Sequence, residues 1–291
     1  MAEIIDGKVV SAKIRLELAK NIDEFKHESG ITPGLAVIIV GSDPASLVYV
    51  RNKKRACEQV GINSYEISLP YDVTEKELLG CIAELNTDPK VHGILVQLPL
   101  PAHIDEEKII NSINPDKDVD AFHPVNVGRI LIGNYTFLPC TPAGVIDLLD
   151  YYGIDISSKK CVILGRSNIV GKPMTHLLLE RNGTVTVCHS KTRDIESEIK
   201  SADILVVAIG KSEFVKGSMI KPGAVVIDVG INRGADGKLV GDVEFSSACE
   251  LASYITPVPG GVGPMTITTL LKNTLYAAKI AYNRNNSAKL V

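Results

Sequence analysis

Two rhythms of apolar positions alternate along the chain. Between Ser11 and Ser29 apolar side chains fall at Ile14, Leu18, Ile22 and Phe25, the spacing of one helix face, and Gly30 ends the run. Leu35 to Val40 is unbroken and rich in branched residues, as expected of a strand buried on both faces of a parallel sheet. After Gly41-Ser-Asp-Pro44 a second helix is predicted, stopping near Gly61, and Tyr65 to Leu69 then alternates as a strand. Thr74-Glu-Lys-Glu77 is a capping box opening a helix to about Asn86. Gly93 to Leu98 is another buried strand, cut short by Pro99 and Pro101. This alternation predicts an α/β domain with a mainly parallel sheet.

From Asn111 to Pro139 the periodicity dissolves into turn formers, Asn114-Pro-Asp-Lys-Asp-Val-Asp120, His123-Pro124 and Gly133-Asn134. A stretch this long without an element is expected to be functional or a linker. Thr141-Pro-Ala-Gly opens a helix, and a second α/β block follows. Its strands are expected at Cys161–Leu164, Thr184–Cys188, Ile204–Ile209, Ala224–Val229 and Leu251–Thr256, with helices at Pro173–Arg181 and Arg193–Ser201. A last helix, Met265 to Asn283, carries a broad apolar stripe with no strand after it, and the tail Asn285-Asn-Ser-Ala-Lys289 is expected to fray. The predicted organisation is two α/β domains with the cleft between them: residues 1–140, with helix 270–291 packing back, and residues 141–269, the latter Rossmann-like.

Composition narrows the class. The 291 residues exceed the roughly 100–200 of a single domain. With 22% charged and 45% hydrophobic residues and a net charge of −3, basic residues dispersed, neither nucleic acid nor an anionic membrane is an expected partner. The six cysteines form no C-x-x-C pair and are expected to be reduced, mostly buried thiols. Met1 to Asp6 has no basic region and no apolar run approaches 18 residues, so a soluble, cytoplasmic protein is expected. The six histidines show no metal-ligand spacing, and no metal site is expected.

Candidate chemistry gathers at strand ends. Cys161-Val-Ile-Leu-Gly-Arg-Ser-Asn-Ile-Val-Gly-Lys-Pro173 reads as strand, glycine turn and helix start, the arrangement that holds a dinucleotide pyrophosphate. A serine stands at the middle glycine of G-x-G-x-x-G and the last glycine comes one residue late; alone, the motif could equally be a plain strand-to-helix turn. After the strand Thr184–Cys188 comes His189-Ser-Lys-Thr-Arg193, with no carboxylate before Asp194 to bind a ribose diol. Hydroxyl and cationic groups there, with Arg166 in the first turn, favour the 2′-phosphate of NADP over NAD; the alternative is a solvated basic loop. Gly210, Gly230 and Gly260-Gly261 likewise follow apolar strands. In the first half Tyr49 and Lys53 share a helix face with Ser46, a spacing that reads first as an exposed amphipathic face. Gln97, near the end of an apolar strand, needs a polar partner, and a lysine ammonium is one candidate. Asp118 and Asp120 lie on the loop beyond.

Together these segments resemble the bifunctional methylenetetrahydrofolate dehydrogenase/methenyltetrahydrofolate cyclohydrolase family. Tyr49-Val-Arg-Asn-Lys53 is similar to its Y-x-x-x-K helix, and Gly93 to Pro101, Pro115 to Asp120, Leu138 to Pro142, Gly165 to Pro173 and Pro259 to Thr266 match further segments in order. Ala121 departs from the glycine usual after the second aspartate. The resemblance implies oxidation of 5,10-methylenetetrahydrofolate by NADP⁺ and hydrolysis of the methenyl product to 10-formyltetrahydrofolate. It implies that Lys53 manages the proton of hydration, that Gln97 holds Lys53, that Tyr49 packs on the folate, and that Asp120 hydrogen-bonds the pterin. Leu98, Pro259, Gly260 and Gly261 would line the substrate. Arg166 and Ser190 would take the 2′-phosphate, with Gly165, Ser167, Ile169, Gly171, Gly210, Ile231 and Thr266 along the rest of the cofactor. A homodimer through the cofactor domain is a further implication. The rival readings are a monofunctional dehydrogenase of this family, another two-domain NADP oxidoreductase resembling shikimate dehydrogenase, and a non-catalytic nucleotide sensor.

Overall fold

In the computed structural model, which describes residues 1–234 and 237–288, the chain opens with a strand that the apolar pattern does not reveal, β1 (Glu3–Ile4). Two residues are too few to show a period, and β1 exists because it pairs in parallel with Tyr254–Ile255. Helix α1 (Gly7–Ser29) begins before the expected Ser11, its first turn fixed by the Asp6 carboxylate, which accepts from the N–H groups of Lys8 and Val9 at 2.8 and 3.2 Å.

Next come β2 (Gly34–Val40), α2 (Pro44–Val60), β3 (Asn63–Leu69), α3 (Glu75–Thr87) and β4 (Gly93–Val96). The strands form a parallel sheet in the order β3-β2-β4, with Ile38 opposite both Ile67 and Val96. β2 is buried along its whole length, as its unbroken apolar run requires. Gly61 caps α2 in the left-handed conformation, and Thr74 and Glu77 complete the capping box of α3.

Two helices interrupt the stretch where periodicity fails, α4 (Glu106–Ser112) and α5 (Pro124–Leu131). Both are about two turns long, too short for a repeat to register. α5 is capped by the Nδ1 of His123, which accepts from the Val125 N–H at 3.1 Å, in place of the usual hydroxyl or carboxylate.

The second half contains α6 (Cys140–Tyr151), β5 (Lys160–Leu164), α7 (Gly171–Glu180), β6 (Thr184–Cys188), α8 (Ile195–Lys200) and β7 (Ile204–Val207). After a 3₁₀ turn at Gly217–Met219 come β8 (Val225–Asp228), the antiparallel pair β9 (Asn232–Arg233) and β10 (Leu239–Val240), α9 (Phe245–Leu251), β11 (Tyr254–Ile255) and α10 (Val262–Ala288). The strand expected over Leu251–Thr256 shrinks to β11, because the residues up to Leu251 complete α9. A parallel sheet runs β1-β11-β8-β7-β5-β6. From β5 the chain passes to β6 on one side and returns to β7 on the other, so the order reverses between β5 and β7, where ligands of open α/β sheets bind.

Met1–Ala12 with Pro139–Thr266 make one compact unit, and Lys13–Leu138 with the chain from Ile267 make the other. The first twelve residues thus go with the six-stranded sheet, against an expected division at 140, because β1 extends that sheet. α10 continues to Ala288, through the Asn285 region expected to fray, and Lys289 to Val291 lie outside the described residues. In its own unit α10 is held by Asn273, whose Nδ2 donates to the carbonyls of Val119 and Leu138 at 2.8 and 2.9 Å, and by edge-on contacts of Tyr276 with Phe137 and of Tyr282 with Phe25.

Asn273→Ala leaves two carbonyls without this donor and is expected to lower the unfolding free energy by about 2 kcal/mol. A urea melt with an unchanged midpoint would show that water replaces the amide at no loss.

Candidate active site

The buried face of α2 is built from Ser46, Val50, Lys53, Cys57 and Val60, a three- and four-residue spacing. Lys53 therefore stands on the inward stripe of the helix, 8% exposed, and not on a solvated face. Its Nζ donates to Gln97 Oε1 at 2.9 Å. The orientation of the Gln97 amide is fixed by its other end, since Nε2 donates to the Leu98 carbonyl at 2.8 Å and leaves only the oxygen for the lysine. The Gln97 N–H extends the β2 ladder by donating to Ile38 O at 2.8 Å, so the side chain sits just past the carboxyl end of β4. Tyr49, one turn before Lys53, is half-buried, and burial raises its phenol pKa, keeping the hydroxyl protonated at neutral pH. Cys57, one turn after Lys53, has its thiol pushed up to about 12 by burial and is no nucleophile. All six cysteines are free thiols.

Asp120 is half-buried in a turn that Asp118 holds in shape. The buried Asp118 carboxylate accepts from the N–H groups of Phe122 and His123 at 3.3 and 2.8 Å and from Asn126 Nδ2 at 2.8 Å. Desolvation raises its pKa against the pull of those donors. Between them Ala121 is fully buried at φ +58°, a left-handed conformation that costs an alanine about 1 kcal/mol and that a glycine would adopt freely. The 98–99 and 258–259 peptide bonds, beside Leu98 and Pro259, are both cis.

In the six-stranded unit, Gly165 ends β5 at φ +118°, where a Cβ would lie 2.2 Å from the carbonyl oxygen of Ala208. At Gly171 a Cβ would lie 2.1 Å from the Gly165 oxygen. Gly165 is therefore demanded by the closeness of the turn to the end of β7, and Gly171 by the closeness of the start of α7 to the turn itself. The Ser167 hydroxyl stands in for the missing middle glycine. Its oxygen accepts from the N–H groups of Val170 and Gly171 at 3.1 and 3.4 Å, leaving its proton to donate outward. Arg166 and Ile169 are exposed, and among the described residues no hydrogen bond or ion pair engages the Arg166 guanidinium. Past β6, His189 and Thr192 close a turn that leaves Ser190 and Lys191 exposed at its tip. The first carboxylate, Asp194, is committed to capping α8 through the Ser197 N–H at 3.3 Å. The turn, the outward hydroxyl, the exposed guanidinium and the carboxylate-free strand end suit a dinucleotide carrying a 2′-phosphate.

Gly210 follows β7, Ile231 follows β8 and is 46% exposed, and Thr266 exchanges a hydrogen bond with Thr141 at 3.0 Å. Gly260 and Gly261 are buried and Pro259 is exposed. Two buried carboxylates beneath these segments, Asp228 and Asp242, are not singled out by the sequence pattern. The available signal for Asp228 is an acid ending an otherwise apolar strand; Asp242 offers none beyond its neighbouring glycine. A cavity of about 690 Å³ in the other unit is lined by Asn63, Lys90, His92, Lys117 and Ala281, at the amino ends of the strands and so at the opposite end from Gln97. Among the described residues no cluster of three or more His, Cys, Asp or Glu could hold a metal, and no helix is long and apolar enough to cross a membrane.

Comparison with known proteins gives two family matches. Residues 5–120 match the catalytic domain of tetrahydrofolate dehydrogenase/cyclohydrolase, and residues 139–282 match its NAD(P)-binding domain. The chain is 64% identical over 279 residues to the bifunctional protein FolD of Acetivibrio thermocellus, covering 96% of this chain and 98% of that one. It is similar to the crystal structure of the bifunctional FolD methylenetetrahydrofolate dehydrogenase/cyclohydrolase of Campylobacter jejuni, with a TM-score of 0.94 and 51% identity over 96% of this chain and 99% of that one. The Trypanosoma brucei N5,N10-methylenetetrahydrofolate dehydrogenase-cyclohydrolase, solved with NADP cofactor and inhibitor, gives 0.92 and 42% over 96% and 98%.

Asp228 yields a prediction about pH. Burial raises its carboxyl to about 6, against the N–H donors that hold it down. Between roughly pH 4 and 6 the folded state keeps a proton that the unfolded chain has released, so this contribution to stability is present at low pH and is lost as pH rises through that window. The stability advantage of the native chain over Asp228→Asn is expected to shrink by up to about 3 kcal/mol from pH 4 to 7. A constant difference in urea melts across that range would contradict it.

Proposed function

The chain belongs to the tetrahydrofolate dehydrogenase/cyclohydrolase family, and we propose that the residues described above divide its two reactions between them. It is a bifunctional enzyme that oxidises 5,10-methylenetetrahydrofolate with NADP⁺ and hydrolyses the methenyl product to 10-formyltetrahydrofolate. The observation that carries the division is the Lys53–Gln97 hydrogen bond on the buried stripe of α2. A monofunctional dehydrogenase has no need of it.

NADP⁺, when bound, supplies the hydride acceptor. Gly165, Ser167, Ile169, Gly171, Gly210, Ile231 and Thr266 hold the cofactor along its length, while Arg166 and Ser190 read the 2′-phosphate by charge-assisted hydrogen bonds. The carbon that loses hydride lies between two nitrogens that stabilise the resulting cation. The protein therefore contributes position, and no acid or base is required at this step.

Hydrolysis needs proton handling. Water adds to the cationic carbon with loss of one proton, which Lys53 takes up, and as the bond to N5 breaks the remaining hydroxyl proton passes to N5, leaving the formyl group on N10. Gln97, its amide oriented by Leu98 O, fixes the lysine nitrogen without adding a charge that would compete for the proton. Tyr49 offers an uncharged ring to pack on the folate, and Asp120 accepts from the pterin. Leu98, Pro259, Gly260 and Gly261 line the substrate. The protein acts in the cytoplasm as a homodimer formed through the NADP-binding unit, with Lys13–Leu138 and α10 from Ile267 onward as the folate domain.

Lys53→Met is expected to reduce methenyl hydrolysis by at least about 100-fold. Purified protein given methylenetetrahydrofolate and NADP⁺, with methenyl and formyl products followed separately, tests it; normal formyl production would remove Lys53 from the reaction. Arg166→Ala is expected to raise the KM for NADP⁺ far more than that for NAD⁺, and an equal rise for both would mean that Arg166 does not read the 2′-phosphate.

A further inference from the structure

Beneath the strand ends of the six-stranded unit, one carboxylate gathers donors from two separate segments. Oδ2 of Asp242 accepts from the N–H groups of Ile209 and Gly210 at 2.7 and 2.9 Å. Oδ1 accepts from the N–H of Lys211 at 2.8 Å and from Asn232 Nδ2 at 2.9 Å. The first three donors are consecutive amides just past β7; the fourth belongs to the residue after Ile231, just past β8. Three successive amides converging on one anion form the concave nest that proteins elsewhere use for phosphate. Here the chain fills the nest with its own side chain.

We propose that Asp242 is a positioning residue for the dinucleotide, an internal anion that sets the 209–211 and 230–232 segments in register and assigns them their share of the cofactor. Because the amides of 209–211 are consumed by Asp242, this loop has no backbone N–H left to cradle a phosphate. Phosphate binding falls instead to the Gly165–Gly171 turn and Ser167, and the 209–211 loop is reserved for an uncharged part of the ligand that NADP⁺ and NAD⁺ share. At Gly210, φ is +64° and nothing lies within 4 Å of where a Cβ would stand, so this face of the loop is open.

Asp242 is itself held from below. Its N–H donates to Asp228 Oδ1 at 3.0 Å, where the Gly230 N–H also donates at 2.9 Å, and Val243 N–H donates to Oδ2 at 2.9 Å. The Asp228 N–H donates to Thr256 Oγ1 at 2.7 Å, which brings in the segment leading to Gly260. The fit has no slack: a Cβ on Gly230 would lie 2.3 Å from Asp242 Cγ, and one on Gly241 would lie 1.8 Å from Asp228 Oδ2. Asp242 is fully buried, so it acts only through the segments it holds.

The inference rests on the NADP site proposed above, and calorimetric titration of the native chain with NADP⁺ separates the two, since no binding there would refute that site itself. Asp242→Asn turns an NH₂ group toward amide donors and is expected to weaken NADP⁺ and NAD⁺ alike by about tenfold, from the loss of charge-assisted hydrogen bonds. This differs from Arg166→Ala, which separates the two nucleotides. Methenyl hydrolysis, assayed without nucleotide, is expected to fall by a much smaller factor. A folded Asp242→Asn protein with a dissociation constant for NADP⁺ within about twofold of the native value would overturn the proposal. So would equal losses in nucleotide binding and hydrolysis, which would make Asp242 a residue of general stability. Should that variant not fold, Asn232→Ala removes the tie to the 230–232 segment while leaving the three amide bonds. A loss of about threefold in NADP⁺ affinity is then expected, and no loss overturns the proposal.

Discussion

A strand buried on both faces of a parallel sheet has no room for unpaired polar groups, and this constraint decides where chemistry can occur in the protein. Val162 to Leu164, Ile204 to Val207, Val225 to Ile227 and Ile94 to Val96 are all buried. Their backbone groups are consumed by the ladders and their side chains by the core. Polar function is displaced to the carboxyl ends, where the ladder stops. Gln97 follows β4, Gly165 follows β5, Gly210 follows β7, and Asp228 closes β8.

Polar groups drawn inward at those ends are satisfied in different ways, and the difference suits their roles. Lys53 is met by the neutral amide of Gln97, which holds the nitrogen by a hydrogen bond. Asp228 and Asp242 are met by backbone N–H groups, which fix the carboxylates and are fixed by them. The first arrangement fixes a single side chain; the second makes a frame. Asp118 shows the frame again on a smaller scale, holding the turn that displays Asp120.

The elements legible in the sequence are those whose cause is local. The unbroken run of β2, the capping box of α3 and the glycines around Ser167 each follow from a few adjacent residues. Elements without such a cause escape notice. β1 is two residues supported by a partner some 250 positions away, and α5 is a short helix capped by a histidine. The family resemblance was legible because its motifs are contiguous segments, Tyr49 to Lys53 and Pro259 to Thr266 among them.

The sequence by itself determined which faces each element would present and which residue types would stand at the strand ends, because periodicity, caps and tight turns depend on neighbours in the chain. It established that Tyr49 and Lys53 share a helix face, but not that Lys53 faces inward. That was settled by the packing of α2, which brings Gln97 from 44 residues away to meet the ammonium. Only the tertiary structure could place Asp242 under Gly210, 32 residues distant. A buried carboxylate is tolerated only where donors converge, and convergence is a property of the folded chain that no local pattern encodes.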